Sequence, residues 1–454
     1  MRLFLISANL ETKPGRVYPL GISRLATVLR KAGHTVEVFD CLVHGSGALA
    51  ARLEAFQPGL VGLSLRNVDN TESQDTQAYL ENYKQCMGII RQATPAPVVL
   101  GGPAYSIFPG EMLAALQADY GVPGPGEQAL LDLARAWEQQ QPLSGVAGVW
   151  TRSQDRVMQP AGGPRRPLVL TAPEREPDLV RHYWEEGGSL NIQTRLGCVH
   201  RCIYCTYPQI DGPGTSTFDP QMVAEEMAAL AAKHGVRHVF VVDSVFNLDP
   251  GHALAVADAL IARNSPVSWT CFCEPGELPE GFLQRLARAG CTHIEFGTES
   301  LSDQVLEAYG KPFRTREVAA WSRAAAEAGI HQAHFMILGG PSETPETVAE
   351  TFAFSAQLKP AVFFPYLGMR IFPGTPLQRL AIREGVIRAE DDLLAPVFYF
   401  SNQTPPADLE KAVAAQGAKD PRWVTPERWK QAESIMQRLR QRGKKGPLWE
   451  YLAG

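Results

Sequence analysis

The sequence predicts an α/β protein: an open parallel sheet, then a partial parallel barrel of six βα units, then a short extension. Three observations carry that expectation. Up to about residue 140, short apolar runs alternate with amphipathic stretches, and after residue 186 the same rhythm restarts with six further runs. At the end of the first run of the second series stand Cys198, Cys202 and Cys205, spaced C-x3-C-x2-C.

In the first series, Leu3–Ser7, Thr35–Asp40, Leu60–Leu65, Pro97–Leu100 and Ala118–Val122 read as strands. Gly21–Ala32 and Tyr79–Gln92 read as amphipathic helices between them. Open sheets of this kind take ligands beyond the carboxyl ends of their strands. Those ends are polar and glycine-rich here. Ser64-Leu-Arg-Asn-Val-Asp-Asn-Thr71 follows the third strand, Gly101-Gly-Pro-Ala-Tyr-Ser106 the fourth, and Gly121-Val-Pro-Gly-Pro-Gly-Glu127 the fifth. Consecutive glycines let backbone N–H groups approach a large ligand, and a helix starting after Glu127 offers its N-terminus to a phosphate. The same glycines also suit plain tight turns. Residues 141–185 hold Pro142, Pro160, Pro164, Pro167, Pro173 and Pro177, and read as a linker with one hairpin around Gly148–Met158.

The second series comprises Leu190–Arg195, His238–Asp243, Val267–Phe272, His293–Gly297, Gln332–Leu338 and Phe363–Ile371. Each run ends in polar or glycine-rich residues, where a barrel keeps its active site. Cys271 and Cys273 share a face of the third run by alternation and read as buried thiols, with Glu274 after them the better candidate for a polar pocket group. His331 and His334 read as satisfied core histidines, with a proton-accepting role as the rival. After Gly385 the rhythm stops. Phe398-Tyr-Phe400 reads as a packing run, with Tyr399 as a residue that could face substrate, and Trp423–Arg442 as a basic amphipathic helix with a solvated charged face.

The cysteine trio carries the chemistry. With 8 cysteines in 454 residues, random scatter would produce on the order of 0.002 such triplets. A structural zinc site wants a fourth ligand, and His200 sits too close along the chain to serve well. Three thiolates instead suit a [4Fe–4S] cluster with one iron left open to another molecule. The remaining cysteines show no disulfide framework, so a reducing, cytoplasmic setting is expected.

Composition narrows the partners. With 43 basic and 48 acidic residues the net charge is −5, which argues against a general binder of nucleic acid or membrane surface. No run approaches the length needed to span a bilayer, and the apolar stretch after Met1 reads as a first strand rather than a signal sequence.

With these motifs in order, the chain resembles the cobalamin-binding radical S-adenosylmethionine enzymes of the methyltransferase-like branch. The resemblance implies an N-terminal Rossmann-like cobalamin-binding domain (1–140), a linker (141–185), a partial (β/α)6 radical SAM barrel (186–385) and a small C-terminal extension (386–454). It implies three cofactors: a [4Fe–4S] cluster on Cys198, Cys202 and Cys205, S-adenosylmethionine on the open iron, and cobalamin. By position it assigns S-adenosylmethionine contacts to Tyr204, Asp243, Phe246, Asn247, Glu299, Ser300 and Arg370, with Lys311 at the spacing of the cobalamin-dependent branch. Cobalamin contacts fall to Ser64, Arg66, Asn67, Gly101, Gly102, Ser106, Gly124, Gly126 and Glu127. The chain lacks the Asp-x-His-x-x-Gly signature that puts imidazole on cobalt, since Asp40-Cys-Leu-Val-His-Gly45 has the wrong spacing. His44 therefore reads as an ordinary loop histidine, and Ser64, Arg66 and Asn67 as the groups beneath the corrin.

The activity so implied is methylation of an unactivated carbon, through a 5′-deoxyadenosyl radical and methylcobalamin, on a small-molecule or lipid-like substrate. A flavodoxin or ferredoxin would supply electrons. Two rivals stay open: radical cyclisation or oxidative rearrangement with the same cofactors, and a cobalamin-free radical enzyme whose first domain is structural.

Overall fold

The computed structural model describes the whole chain except residues 14, 154–155, 160–167, 213, 359 and 453–454. Pro160, Pro164 and Pro167 of the expected linker lie outside the described residues. The chain forms two compact units, one of residues 1–70, 77–182 and 206–216 and the other of 71–76, 183–205 and 217–454.

The first unit is built on a seven-stranded sheet: β1 (Arg2–Ser7), β2 (Thr35–Asp40), β3 (Leu60–Ser64), β4 (Val98–Gly101), β5 (Tyr120–Gly121), β6 (Trp150–Ser153) and β7 (Arg156–Met158). Their order is β2-β1-β3-β4-β5-β6-β7. The first five pair in parallel, and β6 and β7 pair antiparallel at the edge. Strand β1 lies inside the sheet between β2 and β3, and Leu3, Phe4, Leu5 and Ile6 are essentially inaccessible. A strand covered on both faces needs this unbroken apolar run rather than alternation. Helix α1 (Leu20–Lys31) buries Leu20, Ile22, Ala26 and Leu29 on one face.

The hairpin expected around Gly148–Met158 is present as β6 and β7. It pairs onto β5, so this part of 141–185 is sheet edge rather than free linker. Strand β5 is two residues, Tyr120–Gly121, shorter than the expected Ala118–Val122. Gly121 packs against Tyr105, whose hydroxyl is 1.9 Å from where a Cβ would stand.

The second unit holds a six-stranded all-parallel sheet: β8 (Leu190–Ile192), β9 (His238–Val241), β10 (Ser268–Cys273), β11 (Cys291–Glu299), β12 (His331–Leu338) and β13 (Val362–Leu367). Neighbours in the sheet are neighbours in sequence. Each pair is parallel with a helical crossover, so the sheet is the wall of a partial barrel. Trp269, Ile294, Phe296, Met336 and Phe363 fill its core at 1% exposure or less. The extension packs helix α2 (Pro406–Lys419) through Leu409 and Val413 into one apolar cluster with Trp423. Helix α3 (Pro426–Gln441) covers the sheet flank through Trp429 and Met436. No described helix is long and apolar enough to cross a membrane.

Candidate active site

Strand β8 runs into Thr194 and Arg195, and the loop that follows carries the three thiols. Cys198 is buried, while Cys202 and Cys205 are half-buried. A turn closes the loop, with the Cys205 amide donating to the Cys202 carbonyl at 3.2 Å. Burial pushes the Cys198 and Cys202 thiols up; Arg195 opposes this at Cys198 and Lys311 at Cys202. The Arg195 guanidinium is only 1% exposed, and its Nε and Nη1 have no hydrogen-bond partner. Cys198, Asp243, Asp249 and Glu274 are the anionic groups around it.

Strand β11 ends at Glu299 in a left-handed conformation, φ +64. Non-glycine residues hold such a backbone only where the surroundings fix it. Here the side chain is doubly tied: Tyr204 donates to Glu299 Oε1 at 2.7 Å, and Lys311 Nζ donates to the same oxygen at 3.1 Å. Lys311 also donates to the Gly297 carbonyl at 2.9 Å. Burial works against the lysine's charge, but Glu299 and the thiols of Cys202 and Cys205 outweigh it, so its pKa lies above the ordinary value. Burial, then the Glu299 carboxylate, hold the Tyr204 phenol well above its usual range, so it stays a donor.

Strand β10 brings in Glu274. Its backbone is clamped by Asn247, whose Nδ2 donates to the Glu274 carbonyl at 2.8 Å and whose Oδ1 accepts the Glu274 amide at 2.9 Å. The Glu274 carboxylate reaches Nε2 of His200, inside the cysteine loop, at 2.5 Å. Three cysteines gathered beside the cations Arg195 and Lys311 are a donor set that suits a [4Fe–4S] cluster, to whose irons they would bind as thiolates.

The structure brings Cys198, Cys202, Cys205, Tyr204 and Glu299 together, and five other expected ligand contacts have partners within the protein. Asp243 is fully buried; Oδ1 accepts the amides of Thr194 (2.7 Å) and Arg195 (3.1 Å), and Oδ2 the Thr194 hydroxyl (2.5 Å). It is a strut that fixes the approach to the cysteine loop, and burial raises its pKa to about 6. Phe246 packs edge-on against Trp269 in the core, ring centres 5.3 Å apart. Asn247 is the clamp just described. Ser300 is buried and accepts the Ser302 amide at 3.2 Å, a turn contact at the end of β11. Arg370 donates to the Leu393 carbonyl at 2.7 Å and to that of Ile371, tying down the extension. Strand ends carry both ligand contacts and struts, and sequence position alone cannot separate them.

Sequence reasoning assigned no role to Arg195, and it named His200 only as a poor metal ligand. The signal was available: a charged residue at the end of an otherwise apolar buried strand must meet something. Cys271 and Cys273 are buried, Sγ to Sγ 3.6 Å, as alternation places them. His334 is a core histidine, stacked between Phe296 and Phe363 and driven down to about 3 by burial. His331 instead is exposed, at the start of β12. Tyr399 is spent on Glu384, to which it donates at 2.6 Å.

In the first unit, the expected cobalamin loops lie at the ends of β3, β4 and β5. The Ser106 hydroxyl accepts the Gly124 amide at 2.9 Å and donates to the Gly102 carbonyl at 3.0 Å, joining two of the loops. Gly102 has φ +91, and a Cβ there would stand 2.6 Å from the Leu65 carbonyl and 2.8 Å from Ser64 Oγ. That glycine is demanded by the neighbouring loop, whatever binds above it. Gly101 is close to Val122, and Gly126 to Leu25. The helix that opens at Glu127 has no side-chain cap at its N-terminus. Arg24 lies near the Glu127 carboxyl, and burial, its largest influence, lifts its pKa. Arg66 lies near Tyr79 and Tyr83, and the Asn67 carbonyl accepts from Tyr83 at 2.7 Å. His44 caps its own turn through the Asp40 amide and pairs with Asp178 at 2.9 Å, as a loop histidine would.

Comparison with known proteins agrees with this layout. Residues 192–355 match the radical SAM superfamily, and residues 6–134 match the B12 binding domain. The fold is shared with the radical S-adenosylmethionine methyltransferase TsrM of Kitasatospora setae, solved with cobalamin and a [4Fe–4S] cluster bound. The TM-score is 0.87 at 24% identity, covering 100% of this chain and 97% of that one. Tryptophan 2-C-methyltransferase of Streptomyces laurentii is 26% identical over 437 residues, 81% of this chain and 72% of the relative. The anaerobic magnesium-protoporphyrin IX monomethyl ester cyclase of Cereibacter sphaeroides is 24% identical over 384 residues, 79% of this chain and 60% of the relative. The cysteine loop and partial barrel thus lie in a radical SAM superfamily domain, and the preceding parallel sheet in a B12-binding domain.

Proposed function

We propose that the chain is a cobalamin-dependent methyltransferase that transfers a methyl group to carbon on a small-molecule substrate. The observation that carries this is the pairing, in one chain, of a B12-binding domain with a barrel whose three thiols converge with two buried cations. When bound, a [4Fe–4S] cluster and S-adenosylmethionine supply the electron and the methyl or 5′-deoxyadenosyl group, and cobalamin carries the methyl.

The residues of the chain have separable duties. Cys198, Cys202 and Cys205 hold the cluster. Arg195, buried with two unpaired donor atoms, offers a fork to a carboxylate or a cluster sulfide. Lys311 balances the Glu299 carboxylate and the thiolates of Cys202 and Cys205, while Tyr204 holds Glu299 in place beside Cys205. Asp243 and Asn247 keep the cysteine loop and Glu274 in register. A flavodoxin or ferredoxin is the proposed electron source. The loops at Ser64–Asn67, Gly101–Ser106 and Gly124–Glu127 are the proposed cobalamin contacts.

Ring formation is the second reading, favoured by the cyclase relative. The test is anaerobic reconstitution with iron, sulfide and hydroxocobalamin, followed by incubation with S-adenosylmethionine and candidate substrates. The proposal expects stoichiometric corrinoid absorbance, cluster absorbance lost in the Cys198→Ala/Cys202→Ala/Cys205→Ala variant, and product heavier by one methyl group. Product formed without that gain supports cyclisation. A chain that retains no corrinoid refutes the cobalamin assignment.

A further inference from the structure

Strand β11 carries a second chemistry at its other end. Glu299 lies at its carboxyl end with the cysteine loop, and His293 lies six residues earlier, roughly 20 Å away along an extended strand. His293 is in register with His331, near the start of the adjacent β12. The two imidazoles stack, ring centres 4.9 Å apart and planes at 22°. Glu450, from the short helix Leu448–Leu452, reaches both: its Oε2 is 3.2 Å from each Nε2.

We propose that His293, His331 and Glu450 form a divalent-cation site, suited to zinc, on the floor of the barrel and independent of the iron–sulfur centre. Geometry is the first argument. Ligand atoms about 2.1 Å from a tetrahedral ion stand roughly 3.4 Å from one another. Both nitrogen-to-carboxylate separations are near that edge length, and all three ligand atoms lie within 4.8 Å of one another.

The second argument is the orientation of the buried ring. His293 Nδ1 is 2.9 Å from Thr292 Oγ1, and Nε2 is 3.2 Å from the Glu450 oxygen. In the tautomer that donates Nδ1–H to the Thr292 hydroxyl, Nε2 presents its lone pair to an ion held beside Glu450. A metal-ligating histidine whose other ring nitrogen donates to oxygen is the usual arrangement.

Access and purpose also fit. The His331 side chain is 51% exposed, so an ion can enter from solvent and keep water in its fourth position. The neighbour of the carboxylate ligand, Trp449, is buried against the ring edge of His293 at 5.1 Å and donates to Glu295 at 2.9 Å. A bound ion would clamp residues 448–452 onto the two strands. With three protein ligands and a solvent-open fourth position, the site lacks the closed shell of a structural zinc centre, and its ion would tether the extension to the barrel.

The test uses the full-length, cluster-reconstituted protein, stripped of loose metal by a chelator and then equilibrated with zinc alone. Metal content is measured after dialysis, and thermal unfolding is followed with and without zinc. The proposal expects one zinc per chain beyond the cluster irons, and a zinc-dependent rise in unfolding temperature. His331→Ala should weaken zinc binding at least tenfold and abolish the rise; Glu450→Gln, which keeps the shape, should do the same. Iron content should be unchanged in both. Absence of zinc uptake by the parent overturns the proposal, as does uptake that persists undiminished in both variants.

Discussion

The Lys311–Glu299 pair allows a quantitative test of how the cluster loop is held. In Lys311→Met the stem keeps its packing and the ammonium is lost. The pair is 3.1 Å apart with side chains 8% and 10% exposed, so solvent screens it little. At an effective dielectric of about 20, such a pair attracts by about 5 kcal/mol. The substitution also strands the Gly297 carbonyl, now bonded at 2.9 Å, and leaves Tyr204 as the remaining side-chain donor to Glu299 among the described residues. Breaking a buried pair by removing one partner costs about 3–5 kcal/mol, because the other charge stays behind uncompensated. Adding Glu299→Gln removes that charge while an amide oxygen still accepts from Tyr204. The double variant should therefore recover about half of the loss, a strongly non-additive cycle. The assay is anaerobic denaturant unfolding of the four proteins of the cycle, with iron content measured beside it. Tyr204 adjoins Cys205, so Lys311→Met should also release cluster iron faster. If Lys311→Met costs less than about 1 kcal/mol, or the two changes simply add, the pair does not behave as a buried charge couple.

Other outcomes follow from the same reasoning. Glu343 is fully buried, accepts from Gly339 at 3.1 Å and Thr347 at 3.0 Å, and burial lifts its pKa from 4.5 to about 7. Because the folded state holds this proton more tightly than the unfolded chain, stability falls as pH rises through that window, by about 3 kcal/mol from this residue. Unfolding curves at pH 4.5 and 7.5 should show Glu343→Gln relieved of that share; an unchanged difference would contradict the assignment. Gly102→Ala forces a Cβ within 2.6 Å of the Leu65 carbonyl at φ +91, and should destabilise the first unit by about 2–4 kcal/mol. Limited proteolysis of that unit is the readout, and parent-like resistance would count against the close approach. Arg195→Gln should weaken S-adenosylmethionine binding at least tenfold in an equilibrium binding assay, with iron content retained; unaltered affinity would remove Arg195 from the ligand-binding role.

The sequence alone carried the strand series, because a strand buried on both faces must be a continuous apolar run. Each of the six barrel strands falls within about two residues of its expected start. It also marked the cysteine loop, whose spacing is local and survives any packing. Partnerships between residues far apart in the chain were decided only by tertiary structure. Asp243, Asn247, Ser300 and Arg370 were singled out by position, and the hydrogen bonds they make within the protein came only from the fold. Arg195 gained its meaning from two buried donor nitrogens without hydrogen-bond partners among the described residues, and His331 from standing beside His293 and Glu450. The physical reason is the range of the forces. Hydrophobic periodicity is written into each segment, whereas a buried polar group is defined by what the fold brings within hydrogen-bonding distance.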